Sequence, residues 1–470
     1  METTGLAQYI AGTRVLPPAD ALRIRSLDGT CELAVAETGS VQLRRALRYA
    51  ADCQPRLEST SLAERIEVAR LVIHEYARRA EAACWALAHF RGVTASDSRW
   101  MCQVNVDWAK NLESLAQTLW GVEETEKNGS APASGTLHWR SRGQAALFSS
   151  STMDGPPAVV ALCHAILSGT HLIFKPSFRD AATHIALDTL HEHGLQHYAQ
   201  LVRWRSDAPD AGQLNRQLIN HVAQAVIFSA NDTYRALLDV SAEPGSEAWE
   251  ALRQRVKRYG TGLPIAIVSE GANLDEAARD LVEGARLGGG RFCLSACPVL
   301  VDQRCHDQLV ARIVTCAQEL RAGPALAEGT QLSAHDPADT AAIREVVRTF
   351  GGTLVSGDVR TRDMDVLVLA GVPTSTPALH RELPGTALAI VPVEGLAQAL
   401  AVAADALRRN LREAWTAVVF FGSAQEYASL PASLAAFRYL HGGVVSRVKL
   451  LLPHQGAYFA LDLMRRVTLE

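Results

Sequence analysis

The residue best suited to covalent chemistry in this chain is Cys293, which ends the run Gly288-Gly289-Gly290-Arg291-Phe292-Cys293. An ionised thiol is a strong nucleophile. Three consecutive glycines allow the left-handed backbone and close approach that a strained catalytic loop requires. Taken bare, the same six residues also describe a buried structural cysteine. Other groupings carry less chemistry. Gly260-Thr261-Gly262 precedes a strand and lacks a third glycine, so it reads as a turn; neither a GxxxxGK[ST] loop nor a GxSxG elbow occurs. His191, His193 and His197 cluster, but their order is not HExxH and Gly194 interrupts the helix, which reads as a solvated helix end. Cys293 and Cys297 stand four apart with no second pair, which does not complete a metal site.

The elements that must hold such a loop follow from periodicity. Ser61 and Glu64 form a capping box ahead of an apolar pattern at helical spacing that runs to Gly92, and a second amphipathic stretch covers residues 104–119. The first third of the chain therefore reads as helices. Residues 124–135 are polar and rich in Gly, Ser and Pro, an exposed linker, and residues 136–150 look like two short extended pieces. From Pro156 onward, short apolar runs (LIFK, AVIFS, PIAIV, PVLV, ALAIVPV, TAVVFF) alternate with amphipathic helical ones. That alternation predicts largely parallel sheets covered by helices, an α/β protein.

Composition bounds the class. The chain has 470 residues, 48% of them hydrophobic and 20% charged, with a net charge of −4. This fills real cores in two or three domains and provides no general attraction to nucleic acid or to an anionic membrane. No apolar run reaches the roughly 18 residues of a membrane helix, and the N-terminus has no basic-then-apolar signal pattern. Nine cysteines without regular spacing suit reduced thiols in a cytoplasmic protein.

Several stretches, in order, resemble the aldehyde dehydrogenase superfamily. LIFKPS (172–177) looks like the family's strand ending in a cofactor-binding lysine, and AVIFSAND sits where the family has its FTGS turn. The block from PIAIV through GGGRFC to PVLV resembles the segment around the catalytic cysteine, and RELPGTALAIVPV looks like the EIFGP segment. The resemblance implies a Rossmann-like coenzyme domain (1–126 and 148–262), an α/β catalytic domain (263–432) and a small β oligomerisation flap (127–147 and 433–470). It implies a homodimer or homotetramer and a nicotinamide cofactor, NAD(P). By position Cys293 is the nucleophile, Lys175 meets the adenosine ribose, with Ser177 beside it, and Glu382 meets the nicotinamide ribose. Ala230 and Asn231 occupy the pyrophosphate turn.

Four positions depart from the family pattern. Asp154, in Met153-Asp154-Gly155-Pro156, replaces the amide that holds the oxyanion, and an ionised carboxylate there opposes that charge. The general-base glutamate falls at about Arg258, which could instead lower the pKa of Cys293, bind a substrate anion, or be a solvated helix-end cation. The pyrophosphate turn becomes Phe228-Ser229-Ala230-Asn231-Asp232-Thr233-Tyr234-Arg235, in which Arg235 could meet phosphate directly. The ribose-gripping acid becomes Phe178 followed by Arg179, which leans toward NADP. Without a base to activate water, the resemblance points to an oxidoreductase that interconverts an aldehyde and an acyl derivative through a Cys293 thioester, including a reductase of acyl thioesters on coenzyme A or a carrier protein. The alternative is a catalytically silent binding or scaffold relative. The substrate pocket would be lined from residues 105–111, the segment after Cys293 and residues 453–458; Trp108, His454 and Tyr458 there fit packing as well as recognition.

Overall fold

The computed structural model describes residues 2–120, 136–150, 153–229, 231–260, 262–293, 295, 298–334, 343, 345, 347–358, 365–380, 385–410, 415–444 and 459–469. These divide into two units: Met1–Phe90, Arg99–Tyr259 and Leu450–Glu470 form the first, Arg91–Ser98 and Gly260–Lys449 the second.

The first unit opens with β1 (Glu2–Leu6), β2 (Gln8–Ile10), β3 (Thr13–Val15), β4 (Leu22–Arg25) and β5 (Cys31–Val35). The sequence pattern, which reads helices here, misses them because three to five residues carry too few periods to register. Helices α1 (Ser40–Ser59), α2 (Leu62–Arg78), α3 (Ala80–Arg91), α4 (Ala95–Ala109) and α5 (Leu112–Trp120) follow. The predicted capping box starts α2: the Ser61 hydroxyl accepts from the Glu64 N–H at 3.2 Å and the Glu64 carboxylate accepts from the Ser61 N–H at 3.0 Å.

The alternating part then runs β6 (Thr136–Ser141), β7 (Ala145–Phe148), α6 (Pro156–Leu167), β8 (Leu172–Lys175), α7 (His184–Glu192), β9 (Ala199–Leu201), α8 (Ala211–His221), β10 (Gln224–Phe228), α9 (Asn231–Asp239), α10 (Glu247–Arg255) and β11 (Val256–Tyr259). Seven strands form one sheet in the order β11-β10-β7-β8-β9-β2-β3. From β11 to β9 every neighbour is parallel. The central strands β7, β8 and β10 are buried nearly throughout, as a sheet covered on both faces requires.

The second unit contains β12 (Gly262–Val268), α11 (Leu274–Arg286), β13 (Pro298–Asp302), α12 (His306–Gln318), β14 (Thr353–Ser356), β15 (Leu367–Ala370), β16 (Ala387–Val393), α13 (Gly395–Asn410), β17 (Trp415–Phe421), α14 (Ala424–Ser433) and β18 (Arg438–His441). Its sheet has the order β14-β15-β16-β13-β12-β17-β18, parallel except at β14. Along β12, Ala266 and Val268 face one apolar core while Ile265 and Ile267 face the other, so helices cover both sides.

The chain then returns to the first unit with α15 (Phe459–Asp462) and β19 (Met464–Leu469), and β19 pairs antiparallel with β6 in a two-stranded ribbon. Both ribbon strands come from the segments expected to form a flap. Residues 145–147 and 438–441, expected there as well, pair as parallel strands in the first and second large sheets. Among the described residues no helix is long and apolar enough to cross a membrane.

Candidate active site

In the second unit the geometry around Cys293 begins with α11. Asn273 caps it by accepting from the N–H groups of Asp275 and Glu276 at 3.2 and 3.3 Å. Its apolar face (Ala277, Ala278, Leu281, Val282, Ala285) packs on the sheet. The helix stops at Arg286 because Gly288, Gly289 and Gly290 take φ values of 63°, 71° and 65°. A side chain at such a φ costs roughly 1–2 kcal/mol even without a clash.

Clashes would follow as well. A Cβ on Gly288 would lie 2.5 Å from the Phe292 ring, and one on Gly290 2.5 Å from the carbonyl carbon of Gly385. A Cβ on Gly262, at the head of β12, would lie 1.6 Å from the Cys293 carbonyl oxygen. The cysteine is thus wedged between the first residue of β12 and a glycine turn, half-buried, with its side chain against the apolar residues beneath β12 and β13. Gly385, three residues beyond Glu382, brings the end of that segment's chain onto the cysteine loop. Glu382 itself and Cys297 lie outside the described residues.

Asp97, which the sequence reading does not single out, holds this turn from another element. Its carboxylate accepts from the Gly288 N–H at 2.9 Å and from the Arg286 guanidinium at 3.2 Å, and Arg286 also donates to Glu283 at 2.7 Å. Asp97 is 3% exposed and Arg286 9%, so this is a buried charge cluster. Burial pushes the Asp97 carboxyl above its usual range, against the opposing pull of Arg286 and of the Gly288 N–H. The sequence signal was Thr94-Ala95-Ser96-Asp97, a helix-start pattern. Thr94 does accept from the Asp97 N–H at 3.3 Å, but the side chain of Asp97 is committed to Gly288.

In the first unit the expected residues stand at the carboxyl ends of parallel strands. Arg258, Ile227, Phe148 and Lys175 form one register row across β11, β10, β7 and β8, so their side chains share a face. Three strand spacings separate Lys175 from Arg258, on the order of 14 Å. Lys175 lies half-buried with its Nζ 5.5 Å from the ring centroid of the buried Trp204. Burial, then repulsion from Arg203, draws the Lys175 ammonium down to about 8. Arg203 is itself locked, donating to the carbonyls of Phe178 and Asp180 at 2.8 Å each. Phe178, in the ribose-acid position, packs against the apolar residues of β1, β4 and β5.

Asp154 is buried just ahead of α6, beside Gly155, whose φ is 73° and whose N–H donates to Thr183 at 2.9 Å. The Ser177 hydroxyl donates to Asp154 at 2.8 and 2.9 Å from its two oxygens. Ser177, expected at the cofactor, therefore has a partner within the protein, and Asp154 is held as an acceptor. Arg258 is the third residue of β11 and no helix-end cation, since α10 ends at Arg255. Its guanidinium carbon lies 5.7 Å from the Tyr234 ring centroid on α9. Its neighbour Tyr259 stacks on Phe228 at 5.1 Å and donates to Asp462 of α15. Burial, reinforced by Asp462, raises the Tyr259 hydroxyl well above its ordinary value.

Asn231 starts α9, with its side chain outside the description, and Ala230, His454 and Tyr458 lie outside the described residues. Trp108 is buried against His164 at 5.1 Å, a packing contact. Of the histidine trio, His191 lies 6.0 Å from Tyr9, and Gly194 at φ 71° terminates α7.

A nicotinamide dinucleotide can be tested against this arrangement. A row of strand ends carrying Lys175 and Arg258, with the N-terminus of α9 after β10, is the kind of edge on which such groups bind. Lys175 provides a cation there, while Asp232 in the first turn of α9 works against a pyrophosphate. The residues fit the group through Lys175 and fit it poorly at α9.

Comparison with known proteins agrees with the architecture. Salicylaldehyde dehydrogenase of Pseudomonas sp. (strain C18) is 29% identical over 171 residues, 35% of this chain and 33% of that protein. The chain thus matches about a third of that curated relative's length. A NAD-dependent benzaldehyde dehydrogenase from Corynebacterium glutamicum superposes with a TM-score of 0.79 at 16% identity, covering 98% of this chain and 96% of that one. NADP-dependent glyceraldehyde-3-phosphate dehydrogenase from Bacillus halodurans C-125, complexed with NADP, gives 0.80 at 16% identity with both chains covered in full. The model of the aldehyde dehydrogenase family matches residues 23–417, most of the sequence, and the chain belongs to that family.

Proposed function

We propose that the chain is a nicotinamide-dependent oxidoreductase that interconverts an aldehyde and an acyl derivative through a thioester on Cys293, with an acyl thioester of coenzyme A or a carrier protein as its partner substrate. The observation that carries this is the glycine turn that presents Cys293, in a chain of the aldehyde dehydrogenase family. The Cys293 sulfur bonds to the carbonyl carbon as the carbonyl π pair moves to oxygen. When the carbonyl re-forms, hydrogen leaves with its electron pair and the acyl group stays on sulfur. A bound nicotinamide dinucleotide supplies the hydride acceptor or donor. A second thiol, or water, then displaces Cys293.

The preference for a thiol over water follows from the position of the usual base. Arg258 lies on the Tyr234 ring, and its neighbour Tyr259 is a phenol bound to Asp462. Neither is a carboxylate that could deprotonate water. Phe178 packed in a core and Arg179 beside it favour NADP over NAD. The first unit would hold the coenzyme, the second the chemistry, and the β6–β19 ribbon would be the contact that builds a homodimer or homotetramer in the cytoplasm.

The test is to supply NADPH and NADH in turn with a short acyl-CoA, and NADP and NAD with a panel of aldehydes and coenzyme A, following the absorbance of the reduced cofactor. Turnover that disappears in Cys293→Ala supports the proposal, and faster turnover with coenzyme A than with water supports its thioester form. One observation favours a second reading, a silent binding relative: Asp154 is held by Ser177 as an acceptor where the family has an amide donor. Failure of either cofactor to bind would leave that reading in place.

A further inference from the structure

We infer that Asp97 is the positioning residue of the Cys293 loop: by accepting the Gly288 N–H it fixes the left-handed glycine turn from which the cysteine is presented. The inference rests on the proposed role of Cys293 as nucleophile. The chain leaves α11 through a short 3-10 turn, Leu287–Gly290, in which the glycines take left-handed φ, and a buried N–H at the start of that turn would be costly without an acceptor. Past the end of α11 the Leu287 N–H still donates to the Glu283 carbonyl, and the next donor, the Gly288 N–H, takes a carboxylate 191 residues away in sequence, 3% exposed, at 2.9 Å.

The same carboxylate binds Arg286, the last residue of α11, at 3.2 Å, and Arg286 reaches back one turn to Glu283 at 2.7 Å. Asp97 therefore fastens both the end of the helix and the start of the turn, so that the path from Arg286 to Cys293 leaves the helix at one fixed angle. Two backbone contacts complete the frame, Gly262 against the Cys293 carbonyl and Gly290 against Gly385. Those two resist compression; the Asp97 bond resists the turn lifting away.

Replacing Asp97 leaves Gly288 free to relax, and the thiol then settles further onto the apolar residues it already touches beneath β13. Alkylation of Cys293 by iodoacetamide, read by peptide mass spectrometry, reports this without any cofactor or substrate. Asp97→Ala, and Asp97→Leu as an apolar variant of similar size, are expected to slow it about tenfold, while Asp97→Asn, which keeps an oxygen able to accept the Gly288 N–H, stays within about threefold of the parent. If turnover is found, the truncations lower kcat with KM unchanged and the asparagine restores it, which general loss of folded protein would not do.

Parent-like alkylation in the truncations, or an asparagine variant as slow as they are, would overturn the inference. Should neither truncation fold, hydrogen exchange in the unaltered protein decides: the Gly288 amide is expected to be protected, and exchange as fast as in an open loop would overturn it. A chain that turns over no aldehyde or thioester yet shows Asp97-dependent alkylation would sink the proposed activity and leave the positioning role standing.

Discussion

Two turns that leave helices or strands of the two units illustrate different constraints on glycine. In the second unit, Gly288, Gly290 and Gly262 each face protein: an aromatic ring, a Gly385 backbone and the Cys293 carbonyl lie where a Cβ would be. In the first unit, the sequence after β10 has Ala230 and Arg235 at the positions where the family pattern has glycine. A glycine that packs on the protein's own backbone cannot be exchanged without moving that backbone. A glycine whose neighbour is a ligand can be exchanged at a cost to the ligand alone. The glycines around Cys293 are thus held by the protein's own atoms, while Asp154, Phe178 and Arg258, where the sequence departs from the family pattern, lie in the first unit.

The sharpest way to break this contrast is to put side chains on the second unit's glycines. Gly262→Ala places a carbon where an oxygen already sits and is expected to cost about 3 kcal/mol or more, visible as a lower urea midpoint or as insoluble protein. Gly271→Ala in the same unit meets no atom within 4 Å and should change stability by no more than about 0.5 kcal/mol. Equal effects at the two sites would mean that packing against Cys293 is not what requires glycine.

In the first unit the strongest lever is Asp154. Its carboxylate, which the sequence resemblance aligns with the family's oxyanion donor, already takes the Ser177 hydroxyl on both oxygens. Asp154→Asn leaves an oxygen for Ser177 and adds an N–H₂ that can donate. Removing the charge and adding a donor are expected to raise kcat by about tenfold to a hundredfold on an aldehyde or thioester substrate. A fall in kcat would show that this chain uses the carboxylate itself.

The sequence carried the α/β alternation well, because strands such as β12 and β16 are seven-residue apolar runs between amphipathic helices. Strands β1 to β5 were invisible, being three to five residues long. Motif order singled out Cys293 in the sequence, but not the residues that hold its loop. The signal at Asp97 is a local helix-start pattern, and nothing in that pattern says that the side chain reaches a glycine 191 residues on. Likewise Ser177 reads as part of a lysine motif, and only the fold reveals that it closes on Asp154. Long-range pairing of polar side chains has no period, and so leaves no trace in a single sequence.

The smallest expected effect sharpens the role of Lys175. Its ammonium titrates at about 8 because it is buried and lies near Arg203. Below that pH it is charged and is expected to attract a phosphate-bearing ligand at the end of β8; above it that attraction should fade. Affinity for NADPH is therefore expected to fall about tenfold between pH 7 and pH 9. Stability runs the other way. The folded value lies below the ordinary 10.5, so the unfolded chain holds the proton more tightly and the native state gains as pH rises from about 8 toward 10.5. Lys175→Met should flatten both profiles. Because the lysine lies over Trp204, tryptophan fluorescence can follow the titration directly. An affinity that stays level through pH 8 in the unaltered protein would place the ligand's phosphates away from Lys175.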